Sequence, residues 1–291
     1  MRSCLNLAFF LYKKSIAKEV VILIVTKKYT STLTDAQWQV IENKLPEQML
    51  RRERAWSLRK IFDAIFYVLK NGCTWRDIPS EFPPTGTVYY YFRIWRDNGL
   101  IEYLSQEIGG DYRQLQGKQR SASVGIIDAQ STKNTAVSGQ SDSGYDAGKK
   151  IKGRKRHLIV DSLGLIITAW VTSADWSDRD AASWLFAKTY MNRFDFPRLK
   201  LFFADGGYRG KLVEFVKKNY EKLGWQLHIV KKEENLKTFK VLPMRWIVER
   251  SFAWHDNCRR LSKDYERKTA SAEAFLYLAQ IRLLAIRYEK S

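Results

Sequence analysis

Near residue 120 the hydrophobic pattern of this chain changes period, which limits it to a helical segment followed by an α/β segment. Before the change, Leu58, Ile61, Phe62, Ile65, Phe66 and Leu69 recur at helical spacing behind the cap Ser57, and Asn71-Gly72 stops the run. Thr34 caps an earlier helix closed by Pro46, and Thr74 caps a short turn over residues 75–78. Thr87 reads as the cap of a basic, aromatic helix ended by Gly99. The polar, glycine-containing stretch 109–123 reads as a linker. Beyond it come an apolar strand over 123–130, a hairpin of 156–162 and 165–174 around Leu163-Gly164, and a helix over 178–194. A buried strand over 199–205, a helix over 211–224 and a short strand over 225–232 follow, and helices over 244–263 and 271–290 close the chain. This succession is that of a ribonuclease-H-like mixed sheet with flanking helices. The expected division is an N-terminal extension over 1–30, a small all-α, helix-turn-helix-like domain over 31–120, and the α/β domain over 121–291.

Three acids stand out by their contexts rather than their number. Asp128 ends the apolar run SVGIID, Asp205 ends LKLFFAD ahead of Gly206-Gly207, and Glu249 lies in the helical stretch RWIVERSFAW. In the fold inferred above, the strands carrying the two aspartates are neighbours at the point where strand order reverses, where ligands gather. Two strand-end aspartates and a helix-borne glutamate suit a pair of Mg²⁺ ions over a phosphodiester, because Mg²⁺ takes hard oxygen donors. A carboxylate leaving a strand of Val and Ile is poorly solvated unless it meets a cation. Asp205 could instead belong to an ordinary strand-to-helix loop, and Glu249 to a surface salt bridge with Arg245. On a regular helix, Arg245, Asp256, Arg260 and Lys263 share the face of Glu249. Of the acidic cluster Asp175, Asp178 and Asp180, Asp178 reads as a helix cap rather than a ligand.

Lys and Arg total 50 against 31 Asp and Glu, a net charge of +19. Such a balance favours a nucleic-acid partner, whose condensed counterions a basic surface displaces, over a peripheral membrane binder or a chain basic by drift. Lys149, Lys150, Lys152, Arg154, Lys155 and Arg156 form a run that beside a metal site would act as a phosphate clamp. The glycines at 144, 148 and 153 would let that segment conform to a duplex. Arg93 and Arg96 fall on or near the exposed face of the helix after Thr87, with Tyr89, Phe92 and Trp95 at core spacing. Trp254, near Glu249, is a candidate base wedge. Three cysteines and three histidines are scattered, which speaks against a disulfide framework and a zinc site and suits a reducing cytoplasm. No run of 18 apolar residues exists. Residues 1–30 hold two apolar runs split by lysines with no small-residue cleavage site after the first, and read as a poorly defined extension rather than a signal peptide.

Five segments, GCTWRDIPSEFPPTGTVYYYFRIW, SVGIIDAQSTKNT, GYDAGKKIKGRKRHLIVDSLG, FFADGGYRG and RWIVERSFAWHDNCRRLSKDYER, make the chain resemble the DDE transposases of bacterial insertion sequences. The resemblance is to the family named after insertion sequence five, within the wider group that includes insertion sequence four, and spans roughly residues 31–285. It implies that Asp128, Asp205 and Glu249 are the catalytic acids and metal ligands, with Mg²⁺ as cofactor and Mn²⁺ as a substitute. It further implies double-stranded DNA as partner, both element ends and target, with terminal inverted repeats read by the helical domain. The implied reaction is hydrolysis at the element ends, then attack of the freed 3′-hydroxyl on target DNA. A homo-oligomer on DNA, a cytoplasmic location, no membrane and no small-molecule substrate are expected with it. Against the wider group's Y-x2-R-x3-E-x6-K pattern, Arg245 and Glu249 fit, while Leu242 and Asp256 occupy the Tyr and Lys positions. Arg260, one turn past Asp256, is expected to take over the strand contact. The stretch before Arg245 is too short for a large inserted β domain. A nuclease that cuts without joining, or a DNA-binding protein with an inactive catalytic domain, are the competing readings.

Overall fold

A computed structural model describes residues 29–135, 142–230 and 244–291. The expectations for the N-terminal extension and for Leu242 therefore lie outside the described residues. Five helices come first: α1 (Asp35–Glu42), α2 (Glu47–Arg51), α3 (Leu58–Asn71), α4 (Thr85–Asp97) and α5 (Leu100–Leu115). Thr34 caps α1 through a reciprocal pair with Gln37, Ser57 caps α3, and Gly72 ends α3 in the left-handed conformation that a side chain would strain. Helix α4 starts three residues earlier than the Thr87 cap implied. Pro84, with its φ held by the ring, leads straight into the first turn at Thr85. The expected linker is also corrected at its start. Helix α5 runs through Gly109 and Gly110, both buried, because packing outweighs the low helix propensity of glycine.

The α/β segment follows as β1 (Val124–Lys133), β2 (Gly144–Asp146), β3 (Ile151–Val160), β4 (Ile166–Ser173), α6 (Asp178–Met191), β5 (Leu201–Ala204), α7 (Lys211–Tyr220), β6 (Gln226–Ile229), α8 (Arg245–Asp256) and α9 (Thr269–Tyr288). The six strands form one mixed sheet in the order β2-β3-β1-β5-β6, with β4 also paired to β3. Strands β1, β3 and β4 are antiparallel, while β5 joins β1 and β6 joins β5 in parallel. This is the ribonuclease-H-like sheet expected from the succession of elements.

Alternation along each strand separates two cores. Ile127, Ile159, Phe202 and Ala204 face α6 and α7. Ile126, Leu158 and Val160 face the other way, into a cluster with Ile247, Val248 and Phe252 of α8 and most of α9. That second cluster continues into α1, α3, α4 and α5, so the N-terminal helices share a core with α9. Helix α9 is long and apolar enough to cross a membrane, yet 67% of its apolar window is buried inside the protein. Two further details differ from the sequence reading. Ser177, not Asp178, caps α6 by accepting from the Asp180 N–H at 3.1 Å. Helix α8 stops at Asp256, so the face shared by Glu249, Arg260 and Lys263 is broken. Arg260 instead enters a short turn over Arg259–Leu261.

Candidate active site

Strand register brings the two aspartates together. Val124, Gly125 and Ile126 of β1 pair with Leu201, Phe202 and Phe203 of β5. Continued by two residues, that offset sets Asp128 level with Asp205, one strand spacing of about 4.8 Å apart in backbone. Both lie on the Ile126 face of the sheet, which α8 covers. Helix α8 buries Ile247, Val248, Ser251 and Phe252 and leaves Glu249 exposed beside the strand ends. Tertiary packing thus gathers acids that are far apart in sequence.

Each acid has a distinct setting. The Asp205 carboxylate accepts the Gly207 N–H at 2.8 Å, closing a tight turn directly after β5. Arg245 spans two of the acids, with Nη1 3.5 Å from Asp205 and Nε 3.0 Å from Glu249. Asp128 accepts the N–H of Ala129 at 2.8 Å. Burial pushes its carboxyl up to about 6, with the Ala129 N–H and Arg245 pulling the other way. Asp205 adds to the rise by like-charge repulsion.

Among the described residues, no three His, Cys, Asp or Glu side chains are drawn close enough to hold a metal ion. The donor chemistry nevertheless fits a hard divalent cation. Two level carboxylates and a third on the facing helix offer oxygen ligands, and one of them is desolvated enough to disfavour its charge. The positive charge among them belongs to Arg245, whose guanidinium bridges Asp205 and Glu249.

The basic residues divide sharply. Lys150 and Lys152 are exposed, as is Arg93 on α4. Lys149 Nζ reaches the Ala129 carbonyl at 3.2 Å, next to Asp128. The other half of the basic run, Arg154, Lys155 and Arg156 on β3, is buried. Arg154 is fully buried against Asp264 and the carbonyls of Glu266 and Arg267. Lys155 bridges Asp146 at 3.5 Å and Asp178 at 3.0 Å. Arg156 is buried beside Gln130 and Asp256. Arg96 is fixed to Ser271 at the start of α9 and to Asp97. Arg260 is buried against Glu266 and the Cys73 carbonyl. Trp254 lies beneath the guanidinium groups of Arg250 and Arg287, at 4.5 and 4.0 Å from its ring. Gly144 and Gly153 serve close packing, since a Cβ on Gly153 would stand 1.9 Å from the Thr132 carbonyl oxygen.

Sequence reasoning passed over two features beside the acids. Gln130, two residues past Asp128, donates to Asp256 at 2.9 Å. Tyr208, three residues past Asp205, is buried to 2% exposure. The signal for Gln130 was period-two alternation along β1; the sequence offered none for Tyr208.

A model for transposases of the IS4/5 family matches residues 33–105, and the model of the transposase DDE domain matches residues 119–284. No curated protein and no solved structure matches the chain significantly.

Proposed function

The chain belongs to the DDE transposases of the IS4/5 type, and from that premise we propose that it cuts its element ends by phosphodiester hydrolysis and joins the 3′-hydroxyl to target DNA. An enzyme of this family acts on DNA, and its DDE domain works with divalent metal ions. Here the ion would be Mg²⁺, with Mn²⁺ as a substitute. The observation that carries the reading is the β1–β5 register, which sets Asp128 level with Asp205, together with Arg245 linking Asp205 to Glu249.

In this proposal Asp128 and Asp205 hold the divalent cation and Glu249 completes the set. Such an ion would supply stabilisation of negative charge on the phosphate and activation of the attacking water or hydroxyl. Arg245, between Asp205 and Glu249, would be the nearby cation for the phosphate oxygens. Lys149 stands beside Asp128, placed to meet the adjoining backbone. His157 and His255 are both buried, and burial depresses both to about 3, so they stay neutral and supply no base at working pH. Lys150, Lys152 and Arg93, all exposed, carry the duplex contacts that the buried Arg154, Lys155, Arg156 and Arg260 and the half-buried, tied Arg96 are too occupied to make. Pairing of both element ends would call for a homo-oligomer on DNA.

The test is strand transfer by purified protein with Mg²⁺ and a labelled duplex bearing the inverted repeat that flanks this gene. Joined products that disappear with Asp205→Ala support the proposal. Cleavage without capture of the 3′-end would reduce it to a nuclease, and binding without cleavage to a DNA-binding protein.

A further inference from the structure

Beyond the acids the sheet has a shoulder. Strand β5 stops at Ala204, while β1 continues past Asp128 to Lys133, paired over that stretch with β3. Helix α8 leaves the acids in the same direction. Asp256 lies two turns past Glu249 on the same face of α8, and Gln130 is the next residue after Asp128 on its face of β1. The Gln130 amide donates to Asp256 at 2.9 Å and so ties strand to helix. Between them, and the turn that follows α8, runs an open groove of about 200 Å³. Gln130, Thr132, Lys133, Asp256, Ser262 and Lys263 line it.

The charge of the groove is positive. Lys133 at the end of β1 and Lys263 after the turn are both exposed, and among the described residues neither ammonium is held in an ion pair. Asp256 is the carboxylate that lines the groove, and it is already engaged by Gln130 and by Arg156 at 3.6 Å. Arg156, only 2% exposed, also reaches the Gln130 amide oxygen at 3.3 Å and the Lys263 carbonyl at 3.4 Å. Arg156 and Asp256 thus cancel in charge while bracing the two walls, which leaves the lysines unopposed. Position adds to charge. At about 3.3 Å per residue, Gln130 to Lys133 lie about 7–17 Å from Asp128 along β1. At about 3.4 Å per nucleotide along a duplex, that distance is about two to five nucleotides.

We propose that this groove is a phosphate subsite, in which Lys133 and Lys263 grip the backbone of the cleaved DNA strand about two to five nucleotides from the bond that is cut. Lysine suits the task as a point charge that meets phosphate oxygens without reading bases. The inference rests on the reading of Asp128, Asp205 and Glu249 as the cleavage site. It adds two residues that fix the register of the strand and never touch the reacting phosphate.

The experiment uses the full chain and inverted-repeat duplexes carrying one neutral methylphosphonate, moved along the cleaved strand up to about five nucleotides on either side of the element end. Binding is measured in EDTA, where nothing is cut, for wild type, Lys133→Ala, Lys263→Ala and the charge-keeping Lys263→Arg. Both lysines are exposed, so the variants should fold like wild type. Each alanine variant should lose about 0.9 of salt slope, so that its deficit shrinks about threefold between about 50 and 200 mM salt. A methylphosphonate at the contacted position should weaken wild type and Lys263→Arg yet leave Lys263→Ala unaffected, because that contact is already gone. Lys133→Ala should show the same coupling at its own position. Unchanged binding, or alanine variants that weaken every duplex alike with no coupled position, would overturn the proposal and return both lysines to the general basic field. Cleavage in Mg²⁺ is scored separately. Coupling in EDTA with no cleavage by wild type would support the groove as a DNA site and sink the transposase reading, and no binding by wild type would sink both.

Discussion

Asp128→Asn should stabilise the metal-free protein at neutral pH while abolishing its chemistry. The Asp128 carboxyl is raised from 3.8 to about 6, mainly by burial. Below pH 3.8 both folded and unfolded states hold the proton, and the shift has no effect on stability. Between that value and about 6 the folded state keeps a proton that the unfolded chain has lost, so stability falls as pH rises. Above about 6 the full penalty applies. Two pKa units correspond to about 3 kcal/mol, and residual solvent contact of the carboxylate reduces this to about 2 kcal/mol. An amide carries no charge to desolvate. The assay is urea unfolding in EDTA from pH 5 to 7.5, read as the difference between variant and wild type so that other titrations cancel. The variant should gain on wild type as pH rises, and millimolar Mn²⁺ should narrow the gap by stabilising wild type alone. A difference that is flat with pH, or an Asp128→Asn protein less stable at pH 7.5, would refute the assignment of Asp128 as a strained, desolvated carboxylate.

Four other outcomes follow from the same structure. Arg154→Ala leaves Asp264 buried without that cation and should cost about 3–5 kcal/mol in urea unfolding. Lys152→Ala, at an exposed position, should leave stability within about 0.5 kcal/mol yet lower the salt slope of DNA binding by about 1. Asp161 sits fully buried in the β3–β4 turn, accepting from Arg113 and from the N–H groups of Leu163 and Leu165 at 2.8 and 2.9 Å. Asp161→Ala should cost about 3–5 kcal/mol, and Asp161→Asn less, because the amide oxygen still accepts from the backbone. Gly153→Ala would drive a methyl to 1.9 Å from the Thr132 carbonyl oxygen, which only a shift of the β1 end can relieve. Its cost should reach or exceed about 1–3 kcal/mol, and an unfolding midpoint within about 1 °C of wild type would count against the β1–β3 register.

Local sequence already held the strands, most helices and the three acids. Hydrophobic period is a property of adjacent residues, so β1, β5 and α3 could be read directly. Asp128 and Asp205 were legible because each interrupts an apolar run at its end. Where packing competes with local preference, the reading failed. Gly109-Gly110 suggested a linker, yet α5 continues through them against α9. A wheel drawn past Asp256 put Arg260 beside Glu249, but the helix ends and Arg260 turns into the core.

The basic run shows the same limit most clearly. Composition determined that this chain is strongly cationic, because charge does not depend on the fold. Which cations are free to meet DNA was decided only by tertiary structure. Strand β3 threads between β1 and β4, so Arg154, Lys155 and Arg156 leave water, and inward-facing carboxylates from distant segments neutralise them. Burying a charge is tolerable only when a partner is brought to it, and those partners come from parts of the chain that meet through folding alone.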